Sequence, residues 1–519
     1  MEIIRENVQL DRYIASVREQ AQLEGQVVLQ EDQIDILRIL AVGARMTAGN
    51  AEVLNSAVSM AGKVIFEVLY TPTDNSGVCA LEVETDFVHK LALSEAEPGM
   101  RARTGGFVRR LDYVLESPRS LALSADVVLE AGVIAPQDIA WVTDIRGVEG
   151  VQINSAALTC LSTVEEQIQE VVIQDDVELP QRAPSVDEIL QNTAYITVKG
   201  ADTTLDGAHV EGEMVVHTLY RSAGEEPSLQ LVNYTVPLVV DVAWEDAAVP
   251  DGEIDATLAV DDIDVVPLTD LSGESGMLRV EAVVLARVSV KEQVLSQGIE
   301  DAYAPGRDLE MERVQVSMQN KTLRQNTQQN MRFTLTLPGG LPPVSQAVLL
   351  KARPVVTQAQ QEDGAVSVSG MLECDVIYTS EEQANPMFGF HSAVPMEFDV
   401  ALEAAAGQNF ADAQIFVRQS QVSALSDDEV ECRVSLDVCA SVTGMGQASM
   451  VVNVTDQGEV PVSADYGIIM VVAQPEDTLW SVARRFNATV DEVTRLNPFL
   501  QERDIASGDK VIMYRQLIL

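Results

Sequence analysis

The side chains best suited to chemistry are few and scattered. The four histidines, His89, His209, His217 and His391, are spread over some three hundred residues. His209 and His217 would sit about 25 Å apart on an extended strand, too far to share a metal ion. The five cysteines (Cys79, Cys160, Cys374, Cys432, Cys439) form no CxxC pair and read as buried reduced thiols. Asp261-Asp262-Ile263-Asp264 is the densest carboxylate cluster. It lacks the glycine and terminal glutamate of an EF-hand loop, and a strand would send neighbouring carboxylates to opposite faces. No HExxH, GxSxG or Walker pattern occurs, and Gly444-Met445-Gly446 reads as a turn. The expectation is a non-enzyme with no cofactor and no metal site.

Composition narrows the classes of partner. The 519 residues include 80 acidic and 34 basic side chains, for a formal charge of −46. Such a surface excludes non-specific nucleic-acid or anionic-membrane binding, which need a basic footprint. A 46% apolar fraction is enough to build cores. The start, Met1 to Asn7, has no basic segment leading into an apolar core, and no apolar run reaches the length of a membrane span. The expected location is the cytosol.

The elements that must position any site come from a repeat. Gly62, Gly212 and Gly370 are each followed eight residues later by a tyrosine (Tyr70, Tyr220, Tyr378), with spacings of 150 and 158 residues. Leu179-Pro180 and Leu337-Pro338 precede the second and third glycines by a common offset, where the first copy has Leu29-Gln30. Val236-Pro237 and Val394-Pro395 follow them. Each copy then carries a long period-two stretch: Leu121 to Val133, Leu278 to Val290 and Val430 to Val442. Alternation of that length means long strands with one buried face. Short helices are expected at Asp32 to Ala44 and Pro184 to Asn192, and Asp11 to Glu24 is open between helix and strand. The predicted domains are residues 1–160, 161–308, 309–455 and 465–516, the first three β-rich and sandwich-like, so the fold class is mainly β.

The last segment differs. The 55 residues from Asp465 hold 8 acidic and 6 basic side chains, so −44 of the charge precedes them. Leu479, Val482, Ala483 and Phe486 recur at helical spacing behind Asp477-Thr478, a capping pair. A second short helix over Thr489 to Leu496 stops at Asn497-Pro498, and strands flank both. Val471 to Phe486, Asn497-Pro498 and Ile505 to Val511 make this segment resemble a LysM domain, a small βααβ fold that commonly binds N-acetylglucosamine-containing glycans such as peptidoglycan. The resemblance implies a groove with Asp477, Thr478, Leu479 and Trp480 on one side. Asn497, Pro498, Phe499, Leu500 and Ile505 lie on the other. The family usually has glycine where this chain has Glu476.

Three β-rich copies with these landmarks, followed by one LysM, resemble the SPOCS-domain spore-coat-associated proteins of the SipL-like family over nearly the whole chain. That resemblance implies a scaffold or adaptor made in the mother-cell cytosol and placed at the forespore surface. It would recruit coat-basement proteins, with the ATPase SpoIVA as partner. A peptidoglycan- or GlcNAc-oligomer-binding wall protein is the rival expectation.

Overall fold

The structure, a computed structural model, describes residues 1–31, 33–74, 77–181, 183–224, 227–245, 252–269, 275–381, 386–403, 408–460 and 462–518. It is mainly β. The first six strands are β1 (Glu2–Val28), β2 (Ile36–Leu54), β3 (Ala57–Pro72), β4 (Cys79–Ala92), β5 (Arg101–Ser117) and β6 (Ser120–Arg146). They form two antiparallel three-stranded layers, β5-β6-β1 and β2-β3-β4. The alternating residues Leu121, Leu123, Ala125, Val127 and Leu129 of β6 face Val64, Phe66, Val68 and Tyr70 of β3 in one core.

The same arrangement follows twice. The second set is β7 (Gln152–Glu178), β8 (Val186–Thr203), β9 (Gly207–Ser222), β10 (Leu229–Ala243), β11 (Glu253–Thr269) and β12 (Ser275–Tyr303). The third is β13 (Arg307–Thr336), β14 (Gln346–Glu362), β15 (Ala365–Thr379), β16 (Met387–Ala401), β17 (Gln408–Ala424) and β18 (Glu429–Glu459). Each encloses a core of its own. β7 runs unbroken through residue 160, and the chain reverses around Gly147 and Gly150, both with positive φ.

The repeat glycines have a steric cause. Opposite each lies a register shift in the neighbouring strand, between Ala48 and Ala51, Val198 and Gly200, and Val356 and Gln358. A Cβ at Gly62, Gly212 or Gly370 would lie 2.5, 3.0 or 2.2 Å from the carbonyl oxygen of Thr47, Thr197 or Val355. The second and third tyrosines close a loop, each hydroxyl donating to a proline carbonyl, Pro184 or Pro342, at 2.9 Å.

Of the helices expected at Asp32 to Ala44 and Pro184 to Asn192, the parts from Ile36 and from Val186 are strand, β2 and β8, Asp32 lies outside the described residues, and Asp11 to Glu24 is part of β1. The cause is burial on both faces. Ile36, Val42 and Ala44 enter the sandwich core, while Leu40 and Ala41 on the other side join Leu69, Leu219, Leu349 and Ile377 in a cluster shared by all three sets. A strand buried twice loses its period-two signature and imitates a helix.

That cluster is one of several in which the sets meet. Val8, Leu158 and Val316, separated by the glycine spacings, share a cluster with Leu10, Cys160 and Met318. A single bridge, Arg12 to Met318, joins β1 to β13. Three positions matched by strand register point into this centre: Trp141 opposite Glu6, Gly298 opposite Ala156, and Met450 opposite Val314. Trp141 is 1% exposed, and its indole Nε1 donates to the Ile299 carbonyl at 3.2 Å. A Cβ on Gly298 would sit 2.2 Å from the indole ring. One copy therefore supplies the bulk and another supplies the space.

Charge also ties the sets together. Asp255 of the second set takes Lys291 at 2.7 Å, Arg103 of the first at 3.3 Å, and Arg324 of the third. Burial alone would push its carboxyl up; the three cations outweigh burial and hold it well below the usual carboxylate range.

Two outcomes test this account. Gly298→Ala should cost about 1–3 kcal/mol by overpacking, whereas Gly200→Ala, with open space at its Cβ, should move stability by less than about 0.5 kcal/mol. The Gly298→Ala cost should fall in a Trp141→Leu background, read by urea denaturation. Asp255→Asn should cost about 3–5 kcal/mol at pH 7 by leaving the buried Lys291 unpaired. Its folded-state pKa is depressed, so its contribution is present above the unfolded carboxylate pKa and lost on acidification. The wild-type advantage should therefore shrink as pH falls below about 4.

Candidate functional site

The C-terminal module is built from β19 (Val462–Val472), α1 (Leu479–Arg485), α2 (Val490–Leu496), a 3₁₀ turn at Pro498–Gln501 and β20 (Lys510–Ile518). Both helices start at capping boxes: Thr478 with Ser481, and Thr489 with Glu492. Leu479, Val482, Ala483 and Phe486 turn one stripe of α1 onto a small core with Val493, Leu500, Val511 and Met513.

The expected groove residues divide by role. The Asp477 carboxylate accepts from the Gln474 amide and from Arg485, each at 2.8 Å. Arg485 holds that carboxyl below its ordinary range. The Thr478 hydroxyl accepts from the Ser481 amide. Asn497, 2% exposed, is a clamp: its amide donates to Val493 and Ile512 carbonyls, and its oxygen accepts from the Ile512 amide at 2.7 Å. Leu479, Phe499, Leu500 and Ile505 meet on the common core. Pro498 is exposed, and Arg503 covers the Phe499 ring at 5.1 Å.

Trp480 has a separate partner. Its Nε1 donates to Asp301 at 2.9 Å, and its ring meets Tyr303 edge-on with centroids 4.9 Å apart. Arg484 also pairs with Asp301. The Tyr303 hydroxyl donates to the Ala488 carbonyl at 3.0 Å, and the Gly306 amide to Asn487 at 2.9 Å. Gln152 accepts from the Val490 amide at 3.1 Å. Trp480 and Arg484 thus fasten the module to the end of β12, and Val490 to the start of β7.

The docked module leaves an apolar surface outward. Ile468, Met470 and Val472 of β19 are 72, 61 and 49% exposed, and Tyr514 and Ile512 stand opposite the first two on β20. The alternate residues Ile469, Val471, Val511 and Met513 cover the core. Sequence reasoning missed this face, although Ile468 to Val472 is an unbroken apolar run. Helices packed on one side of a two-stranded sheet leave half of such a run uncovered.

The other candidates are dispersed. His209 pairs with Asp241 at 2.7 Å, His391 with Asp375 at 2.9 Å and Glu373 at 2.8 Å, and His89 approaches Glu19 at 3.3 Å. Burial pushes His217 down to about 4. Asp262 and Asp264 are exposed on β11, beside a bulge at Asp261. Among the described residues no group of three or more His, Cys, Asp or Glu side chains is placed to hold a metal.

Comparison with known proteins fits this geometry. A family model described as SipL, SPOCS domain, matches residues 35–116, the stretch from β2 through β5. A LysM domain model matches residues 471–513. The two matches support a SPOCS-plus-LysM protein of the SipL-like family. SPOCS and LysM are non-catalytic binding domains, and the pair fits a sporulation-related protein. No curated protein and no solved structure matches the chain. In the described part of this SPOCS-plus-LysM protein, no helix is long and apolar enough to cross a membrane.

The departure at Glu476 has a structural cost. Its φ is +74°, a left-handed conformation that costs a side-chain-bearing residue about 1–2 kcal/mol. Glu476→Gly should therefore stabilise the module by about 1 kcal/mol in thermal denaturation of the full chain. Glu476→Ala, which keeps the Cβ, should give no such gain.

Proposed function

We propose that this SPOCS-plus-LysM protein is a non-enzymatic scaffold of spore-envelope assembly that works at the forespore surface from the mother-cell cytosol. Each six-strand set is a SPOCS-like unit in this reading, and the LysM docks a coat-basement protein, SpoIVA by family resemblance. The observation that carries it is the exposed face of Ile468, Met470, Val472, Ile512 and Tyr514 on a module held by Trp480 and Asp301. A face of four apolar side chains beside Tyr514 suits the apolar core of a protein interface, and only the Tyr514 ring and hydroxyl on it suit a sugar. Modules joined on one body raise effective concentration, so modest contacts add to stable recruitment.

The LysM match itself favours a second reading, a peptidoglycan or GlcNAc-oligomer binder using the loops of Asp477, Thr478 and Leu479 and of Pro498, Phe499 and Ile505. The two separate in one experiment with the full chain, using purified SpoIVA and insoluble peptidoglycan as probes. The scaffold reading expects SpoIVA capture by the native protein and at least about a tenfold loss in Met470→Asp, a change at an exposed position. It expects no saturable retention on peptidoglycan. Saturable peptidoglycan binding that survives Met470→Asp and disappears in Leu479→Asp would establish the glycan reading instead.

A further inference from the structure

The outer face of the second strand set differs in kind from its two counterparts. In β7 the residues pointing away from the sandwich are Val164, Glu166, Ile168, Glu170 and Val172, and the three apolar ones are 45, 51 and 62% exposed. Val283 and Leu285 of β12 stand opposite Val172 and Glu170 and extend the apolar surface. The equivalents of Ile168 and Val172 are Arg18 and Gln22 in the first set and Asn326 and Asn330 in the third. The equivalent of Val283 is Asp126 or Ser435. In the first set Arg18 pairs with Glu130 across the strands. The same fold position is polar twice and apolar once, so the scaffold does not require apolar residues there.

The strand bearing this face is also open. β7 is the last strand of the order β11-β12-β7 and pairs with β12 alone. Its first part packs at the shared centre through Leu158 and Cys160. From Glu165 to Glu178 it leaves roughly 45 Å of edge without a strand partner among the described residues. Glu166 and Glu170 interrupt the apolar positions at every second outward residue, with Glu281 of β12 opposite Gln174 further along and Arg287 within 3.9 Å of Glu166. A strand laid along this edge would place its outward side chains against Val164, Glu166, Ile168, Glu170 and Val172 in turn. Apolar residues must then alternate with cations for each cross-strand pair to be favourable.

We propose that the β7 edge and its outer face form a second docking site, which takes an extended segment of another protein whose every second residue is in turn apolar and Lys or Arg, so that both kinds lie along one face of the added strand. A second copy of this chain is the wrong occupant on charge. Antiparallel pairing of two β7 strands centred on Ile168 sets Glu166 against Glu170, and it brings two chains of −46 together. The site is separate from the LysM face, and its test does not depend on that assignment.

The probe is a fluorescent peptide repeating Val-Thr-Lys-Thr over about twelve residues, which sets valine and lysine in turn along one face, against an isomer with the valines in one half and the lysines in the other. Anisotropy titration of the full chain at physiological salt should show the Val-Thr-Lys-Thr peptide binding at least about tenfold more tightly than its isomer. Ile168→Lys/Val172→Lys should abolish that preference. Gln22→Lys/Asn330→Lys, the same charge change at the positions equivalent to Val172 in the other sets, should retain it. All four positions are exposed, so the variants should melt with the native protein. Equal binding of the two isomers, or equal loss in both double variants, would mean that bulk charge attracts the peptide and would overturn the site. A native dimer in sedimentation that becomes monomeric in Ile168→Lys/Val172→Lys would overturn the choice of occupant.

Discussion

The body of this protein depends on a volume trade between copies of one unit. Three strand sets of nearly equal design present register-matched positions to a common centre, and three identical side chains there would collide or leave a void. The chain solves this with Trp141, Gly298 and Met450: one large ring, one missing side chain and one flexible filler. Close-packed interiors tolerate neither gaps nor overlaps, so the three residues hold as a set. Asp255 does in charge what Trp141 does in volume, gathering cations from all three sets around one carboxylate.

Much of this was legible in sequence because much of it is one-sided burial. The stretches from Leu121, Leu278 and Val430 keep an apolar residue at every second position because that face meets a core. The Gly-to-Tyr landmark was visible because a steric requirement, a carbonyl within contact of the glycine, recurs three times. β2 was misread as a helix because Leu40 and Ala41 serve a second cluster behind the first, and nothing local reports a partner hundreds of residues away. The C-terminal module was legible down to its caps for the opposite reason, since capping is a conversation among neighbours. The orientation of Trp480 was hidden, because Asp301 and Tyr303 that fix it belong to another part of the chain.

The acidic charge acquires a structural meaning. The −44 carried ahead of Asp465 coats the sandwiches, while ion pairs such as Arg418 with Glu213 and Asp437 are spent where sets meet. Tyr195 of the second set completes that junction, donating to Asp437 at 2.7 Å and stacking on Phe416 with centroids 4.6 Å apart. Some of the scarce cations thus sit where acidic surfaces would otherwise face each other. The remaining surface is left repulsive, and its few apolar openings stand out against it.

The centre at Trp141 also bears on how such a gene can change. Tandem repeats of the stacked kind gain and lose units by unequal recombination, because each unit touches only its neighbours and any number will do. Here the copies close on one another, and each holds a different share of a single filled volume. Deleting the copy with the tryptophan would open a cavity; duplicating it would put two indoles into a space shaped for one. Copy number is frozen at three, and the lineage can vary only within copies, which have accordingly become unequal on their outer faces.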